Sequence, residues 1–193
     1  SGDAARRAGS PEELAEIERG RERGLERGAV AVGFGINYTS AASHAEILRM
    51  FRVAARFGAS CHVHMRYSGT KEPTSSVEAL EEVIAASAIT GAPLHVAHVT
   101  SMGLGDTPTL LAMIGEARGR GLDVTTECYP YEAGMTDIQS AIFDDGWQER
   151  MSISYGDLQW AATGERLTEE TFARYRKTGG MIAVFNMPVS VVQ

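Results

Sequence analysis

The chain alternates between short continuous apolar runs and longer stretches whose apolar residues recur every three to four positions. Residues 11–27 carry the second pattern on a polar background, with Ser10 suited to the N-cap, Pro11 to the first helical position and Glu13 to the capping-box spacing. Gly28 ends that helix. Ala29-Val30-Ala31-Val32-Gly33-Phe34-Gly35 then follows as an unbroken apolar run, the pattern of a parallel strand covered on both faces. Within residues 41–57, Ile47, Leu48, Phe51, Ala54 and Ala55 form a helical stripe, and Gly58 closes it. A second strand spans residues 60–66. Ser75 or Ser76 caps the next helix, which carries Val77, Leu80, Val83 and Ile84 and stops at Gly91. Pro93 opens a strand that reads to Thr100. Thr107-Pro108 starts a helix with Leu110, Leu111 and Ile114, ended by Gly119 and Gly121, and residues 122–129 read as a fourth strand. Strand and helix alternating at about thirty residues per unit predict right-handed βαβ units and a parallel sheet.

After Tyr131 the rhythm stops. Residues 132–166 are rich in Asp, Gly and Ser without a clear period. Residues 168–177 look helical, with Thr168 as cap and Glu169 and Glu170 in the first turn, and residues 181–185 read as a further strand. The fold class is therefore α/β: four to five units of a (β/α)8 TIM barrel, whose complete form needs roughly 250 residues. A doubly wound nucleotide-binding sheet would fit the length, but its phosphate loop is missing. Gly33-Phe34-Gly35 has no third glycine in register, and Asn37-Tyr38-Thr39-Ser40 offers no lysine. The chain begins Ser1-Gly2-Asp3 and ends at Val192-Gln193 directly after an apolar run. Residues 1–193 are accordingly expected to be the central segment of a catalytic barrel domain, truncated at both ends, with residues 132–166 as an irregular insertion.

Composition narrows the function. A net charge of −7 argues against a nucleic-acid partner, because phosphate binding wants a basic face. No apolar run reaches the eighteen or so residues of a membrane-spanning helix, so no membrane partner is expected, and no signal peptide is visible. Cys61 and Cys128 both fall in predicted strands with no disulfide-framework spacing, for which a reducing, cytoplasmic setting is the default.

Four of the five histidines lie in two of the predicted strands, Ser60-Cys61-His62-Val63-His64-Met65-Arg66 and Pro93-Leu94-His95-Val96-Ala97-His98-Val99-Thr100. Neutral imidazole is the commonest protein ligand for zinc and its neighbours. In a strand, residues two apart share a face, so His62 and His64 point the same way, while His95 and His98, three apart, point oppositely. Parallel barrels keep their active sites at the C-terminal ends of their strands, which selects His64 and His98 as the metal ligands. His62 and His95 are then supporting or structural residues, and His44, at a helix start, is a surface one. A catalytic zinc usually has three protein ligands and an open position for water. Cys128 could serve on chemistry alone, although a small buried hydrophobe is the commoner role for such a cysteine. The remaining ligands are expected outside the segment.

Gly33-x-Gly35-Ile36-x-Tyr38, Val53-Ala54-Ala55-Arg56-x-Gly58, His64-Met65-Arg66, His95-Val96-Ala97-His98, Gly121-Leu122-Asp123-Val124 and Tyr129-Pro130-Tyr131 occur in that order. Together they resemble the N-acyl-D-amino-acid deacylases (D-aminoacylases) of the amidohydrolase superfamily, over about residues 25–135 and more weakly through Thr163-Gly164-Glu165-Arg166. The resemblance implies a (β/α)8 barrel with Zn2+, one or two ions, at its C-terminal mouth, hydrolysing the amide of a small-molecule N-acyl-D-amino acid. In that family the histidine of His-Met-Arg and the last histidine of His-x-x-His hold the tightly bound metal. They match His64 and His98. A family tyrosine that helps hold the substrate carboxylate matches Tyr129. Arg66 is the other candidate for that carboxylate, since guanidinium forks match carboxylates in two places, and a structural ion pair is its alternative role. The His-x-His of the first barrel strand, the metal-bridging cysteine and the catalytic aspartate are expected outside the segment. Thr100 stands where some members carry a carboxylate-anchoring lysine, and Met135 where a serine is expected.

Cys61-His62-Val63-His64-Met65-Arg66 also resembles the His-x-His-x-Arg of dihydroorotases and related cyclic-amide hydrolases such as hydantoinases, where it lies on the first strand. The preceding βα unit and the later Tyr-Pro-Tyr favour the deacylase register. A catalytically dead barrel fragment, or a binding module without chemistry, is the alternative from a different class. With open sheet edges and missing ligands, the isolated segment is expected to have little or no activity.

Overall fold

The computed structural model describes residues 5–128, 130–187 and 190. The chain forms two compact units, residues 1–128 and 129–193.

The first unit follows the predicted alternation. Helix α1 (Pro11–Glu26) starts at a reciprocal capping box between Ser10 and Glu13, with proline in the first turn. Strand β1 (Ala31–Gly35) leads through a 3-10 turn, Ile36–Thr39, into α2 (His44–Arg56), which Ser43 and Glu46 cap in the same reciprocal way. Strand β2 (Ser60–His64) is followed by α3 (Ser76–Thr90), capped by Ser75 and closed at Gly91, whose φ of 74° is left-handed. Strand β3 (Leu94–Val96) precedes a short helix α4 (Val99–Gly103), and α5 (Thr107–Gly119) leads to β4 (Val124–Thr126). The four strands lie parallel in the order β1-β2-β3-β4, as successive βαβ units joined through helices require.

Alternation across the pleat sorts the residues of this sheet. Val32, Phe34, Cys61, Val63, Leu94, Val96 and Val124 belong to one continuous core with Phe51, Leu80, Val83 and Leu110 of the helices. Phe51 and Leu80 are fully buried; truncating such a phenylalanine to alanine costs about 3–5 kcal/mol. The alternate residues form the other face, where Gly33, Gly35, His62 and Thr125 are exposed and His64 and His95 half-buried. Cover on both sides, expected from the apolar run at 29–35, is thus met on the helix side only among the described residues. Val30, just ahead of β1, is 87% exposed.

Two strands are shorter than their apolar runs. The run at 93–100 is a strand only over Leu94–Val96, and among the described residues of 122–129 the strand covers only Val124–Thr126. Pairing ends there because the chain turns away: His98 takes a left-handed conformation and Val99 begins α4. Cys128 lies beyond β4 and is exposed, so the small-buried-hydrophobe role does not apply to it, whereas Cys61 is buried in β2.

The second unit is of another kind. Strands β5 (Gly134–Asp137), β6 (Leu158–Trp160) and β7 (Met181–Val184) form an antiparallel sheet in the order β5-β7-β6. The short helix α6 (Trp147–Met151) and α7 (Glu169–Thr178) complete it. Its own core contains Ile138, Phe143, Trp147, Leu158, Phe172 and Ile182, with Trp147 stacked on Phe172 at 5.3 Å between ring centroids. Residues 132–166 therefore hold β5, α6, β6 and two 3-10 turns. The strand expected at 181–185 is present but pairs antiparallel with β5 and β6, not as a fifth parallel strand. At Gly180, φ is 139° and an added Cβ would lie 2.3 Å from the Trp160 ring, which itself stacks on Tyr175 at 3.9 Å; only glycine fits.

Candidate metal centre

His64 is the last residue of β2 and sits opposite Gly35 of β1 in register, on the helix-free face. His98 lies two residues past the end of β3. Their ring centroids are 4.7 Å apart with planes at 79°, so the two imidazoles do converge at the C-terminal edge of the parallel sheet. The way His98 gets there differs from the strand-parity argument. It is not in a strand: φ of 33° and ψ of 62° are left-handed, which histidine tolerates better than most residues and which costs about 1 kcal/mol or more. The conformation is held from both sides. The Ala97 amide donates to the Val63 carbonyl at 3.0 Å, and the Val99 amide donates to the Glu127 carbonyl at 2.8 Å.

Hydrogen bonds fix the rings. The Ser101 hydroxyl donates to the His98 carbonyl at 3.0 Å and lies 2.8 Å from Nδ1 of the same residue. With its single proton committed, Ser101 Oγ accepts from Nδ1–H, so the lone pair of His98 is on Nε2. Nδ1 of His64 lies 3.3 Å from the Met65 carbonyl, which assigns that ring the same tautomer. Burial, reinforced by the neighbouring His98, pushes the His64 pKa down to about 4, and burial also lowers that of His98. Both rings are therefore neutral near pH 7, the form that binds metals.

His62 and His95, two and three residues before His64 and His98, form a second pair, directly opposed across β2 and β3, with ring centroids 4.7 Å apart. His62 Nε2 contacts Ser60 Oγ at 3.0 Å, His95 Nδ1 contacts Thr125 Oγ1 at 2.9 Å, and His95 Nε2 is 3.7 Å from a Glu127 oxygen. His44 opens α2 with its side chain 76% exposed. Thr100 is buried and its hydroxyl has no hydrogen-bond partner. Tyr129 lies outside the described residues.

Arg66, two residues after His64, is buried, and its guanidinium is engaged within the protein. Nε and Nη2 donate to the two oxygens of Glu82 on α3 at 2.9 and 2.7 Å, and Nη1 donates to the carbonyls of Ser40 and Ala42. Tyr38, in the turn after β1, sets its ring 5.0 Å from that of His64. Sequence reasoning did not find the parts played by Ser101, Glu82 and Tyr38. Ser101 stands three residues after His98, a spacing that would suggest a local contact once a turn is placed there, whereas Glu82 and Tyr38 reach the site only through tertiary packing.

Among the described residues, no group of three or more His, Cys, Asp or Glu side chains is placed to hold a metal ion. The two neutral imidazoles suit zinc in kind and supply half of its usual set of four positions.

In fold, the chain matches part of solved D-aminoacylase structures. The chain superimposes on a D-aminoacylase structure, reported for its binuclear metal centre, with TM-score 0.75, 22% identity, and coverage of all of this chain and 42% of the other. The N-acyl-D-glutamate deacylase of Bordetella bronchiseptica, solved with zinc and a phosphonate inhibitor, gives 0.74 at 24% identity, covering 97% and 41%. No protein-family model matches the chain. In sequence it is similar to N-acyl-D-glutamate deacylase of Alcaligenes xylosoxydans xylosoxydans, 35% identical over 133 residues, which are 66% of this chain and 26% of that protein. The D-aminoacylase of the same organism is 31% identical over 138 residues, 69% of this chain and 28% of the other. A dihydroorotase from Syntrophobacter fumaroxidans matches at 40% over 72 residues, 35% of this chain and 15% of that one. The chain thus spans about a quarter of the length of the two deacylases it matches.

Proposed function

We propose that this chain carries two metal ligands, His64 and His98, of a zinc-dependent amidohydrolase, and that the complete site hydrolyses the amide of N-acyl-D-amino acids. The observation that carries the reading is the convergence of two half-buried, neutral imidazoles, 4.7 Å apart, at the C-terminal edge of the parallel sheet. The similarity to N-acyl-D-glutamate deacylase and D-aminoacylase supports the substrate class, a small N-acylated D-amino acid. Zinc bound there supplies Lewis acidity toward the scissile amide. The chain's own contribution is to present two lone pairs of fixed tautomer, one from the end of β2 and one from the turn after β3. Tyr129 is the candidate for holding the substrate carboxylate, in keeping with its place in Tyr-Pro-Tyr. Arg66 is assigned the ion-pair role, because its Nε, Nη1 and Nη2 all donate to protein oxygens.

The remaining ligands and the catalytic aspartate belong outside residues 1–193, so the segment alone is expected to be inactive. The two free thiols suit a reducing cytoplasmic setting. The test is metal analysis of the purified chain with and without His64→Ala. Zinc bound by the unaltered chain and lost from the variant supports the assignment; zinc retained by the variant removes it.

A second reading, a cyclic-amide hydrolase, draws on the match to a dihydroorotase, which is shorter but the more identical. Assaying the longer protein that contains this chain against N-acetyl-D-glutamate, N-acetyl-D-leucine and dihydroorotate separates the two. Turnover confined to dihydroorotate would overturn the deacylase reading.

A further inference from the structure

Arg66 is 4% exposed, and the Glu82 side chain is 9% exposed. A buried ion pair is poor evidence for stability, since apolar residues of similar volume often serve as well. Its geometry therefore has to be asked what else it does. The guanidinium reaches two separate elements: its fork grips Glu82 on α3, while Nη1 donates to Ser40 and Ala42 in the loop between β1 and α2. The backbone of Arg66 is tied to the same loop again, because Asn37 Nδ2 donates to the Arg66 carbonyl at 3.0 Å. That loop carries Tyr38, whose ring flanks His64 while His98 stands at 4.7 Å. One residue two positions beyond His64 thus joins β2, α3 and the loop that packs on His64.

We propose that Arg66 and Glu82 are a positioning pair: they lock residues 36–42 to the end of β2 and so set where the His64 imidazole stands relative to His98. The inference rests on the reading of His64 as a metal ligand. Lysine would not substitute, since it carries the charge without the planar fork.

The experiment uses the 193-residue chain and the double variant Arg66→Met/Glu82→Leu, which keeps the interior filled while removing every tie made by the fork. Zinc affinity is read by competition with a chromophoric chelator, and amide hydrogen exchange is followed at residues 36–42. Thermal midpoint serves as the control for folding. The expected result is a near-normal midpoint, faster exchange confined to 36–42, and zinc affinity lowered roughly 10–100-fold, the range for partners that orient a ligand. Asn37→Ala, which removes only the backbone tie, is expected to lower affinity roughly threefold, in line with one modest hydrogen bond, and it keeps the proposal testable if the double variant does not fold. Unchanged zinc affinity, or unchanged exchange in the loop, overturns it. Should the unaltered chain bind no zinc, the ligand assignment falls, and the pair is then judged on loop exchange and the His64 ring-proton shifts: movement of both sustains it, and constancy of either overturns it.

Discussion

His64 and His98 stand with ring centroids 4.7 Å apart, and so do His62 and His95, two and three residues earlier, on the same sheet face. The surroundings differ. The first pair is packed at the sheet's C-terminal edge, with burial lowering both pKa values and each Nδ1 against a neighbouring protein oxygen. The second lies mid-strand, with His62 exposed and the rings tilted by 34° rather than set edge to face. Proximity alone therefore does not single out a ligand pair. Burial, a fixed tautomer and a backbone that holds the ring in place do.

The sharpest way to break this contrast is by substitution against zinc affinity. His64→Ala or His98→Ala should weaken zinc binding by about 100-fold or more, beyond the effect of losing an orienting partner. His62→Ala or His95→Ala should change it by less than about threefold, within the worth of a single weak contact. Equal losses in both pairs, measured by chelator competition, would erase the distinction.

Acid should also separate the pairs in the metal-free chain. The folded pKa of His64 lies near 4, below the ordinary 6.5, so the unfolded chain takes up a proton that the folded one refuses. Stability is then complete above pH 6.5 and declines as pH falls toward about 4, by about 3 kcal/mol. His64→Gln should flatten the profile of thermal midpoint between those pH values, and a variant as steep as the parent would contradict the burial argument.

A smaller effect belongs to the backbone. His98→Gly relieves a left-handed residue of its Cβ cost, so the chain should gain about 1 kcal/mol or lose nothing in urea denaturation while zinc binding collapses. His95→Gly, in an ordinary strand, should lose about 1 kcal/mol. The least effect is expected from Thr125→Val, which removes the bond to His95 Nδ1: about 0.5 kcal/mol or less at this exposed site, with zinc affinity unchanged.

How much of this was legible depended on the length of each pattern. The capped helices α2 and α3 and the apolar runs behind β1 and β2 declared themselves, because a dozen or more residues of consistent period outweigh local noise. The run at 93–100 misled because Val99 extends its apolar character while the backbone has already turned at His98. Nothing in a propensity marks a histidine as left-handed; that comes from the bonds of Ala97 and Val99 to neighbouring strand ends. Strands β5 and β6, four and three residues long, are too short to show an alternation, and the aromatic packing that orders their unit is non-local. The ligand candidates were found through the rule that parallel barrels work at strand ends, and the same rule could not see the Arg66–Glu82 pair, whose members are sixteen positions apart.

Gly33 faces His62 across β1 and β2, and a Cβ built on it meets nothing within 4 Å. The first strand therefore leaves one position on the histidine-bearing surface where new chemistry can be attached without disturbing its neighbours. A cysteine introduced there and coupled to an environment-sensitive dye would sit one strand from the imidazoles, turning an unused position into a built-in reporter of whatever enters the mouth of the sheet.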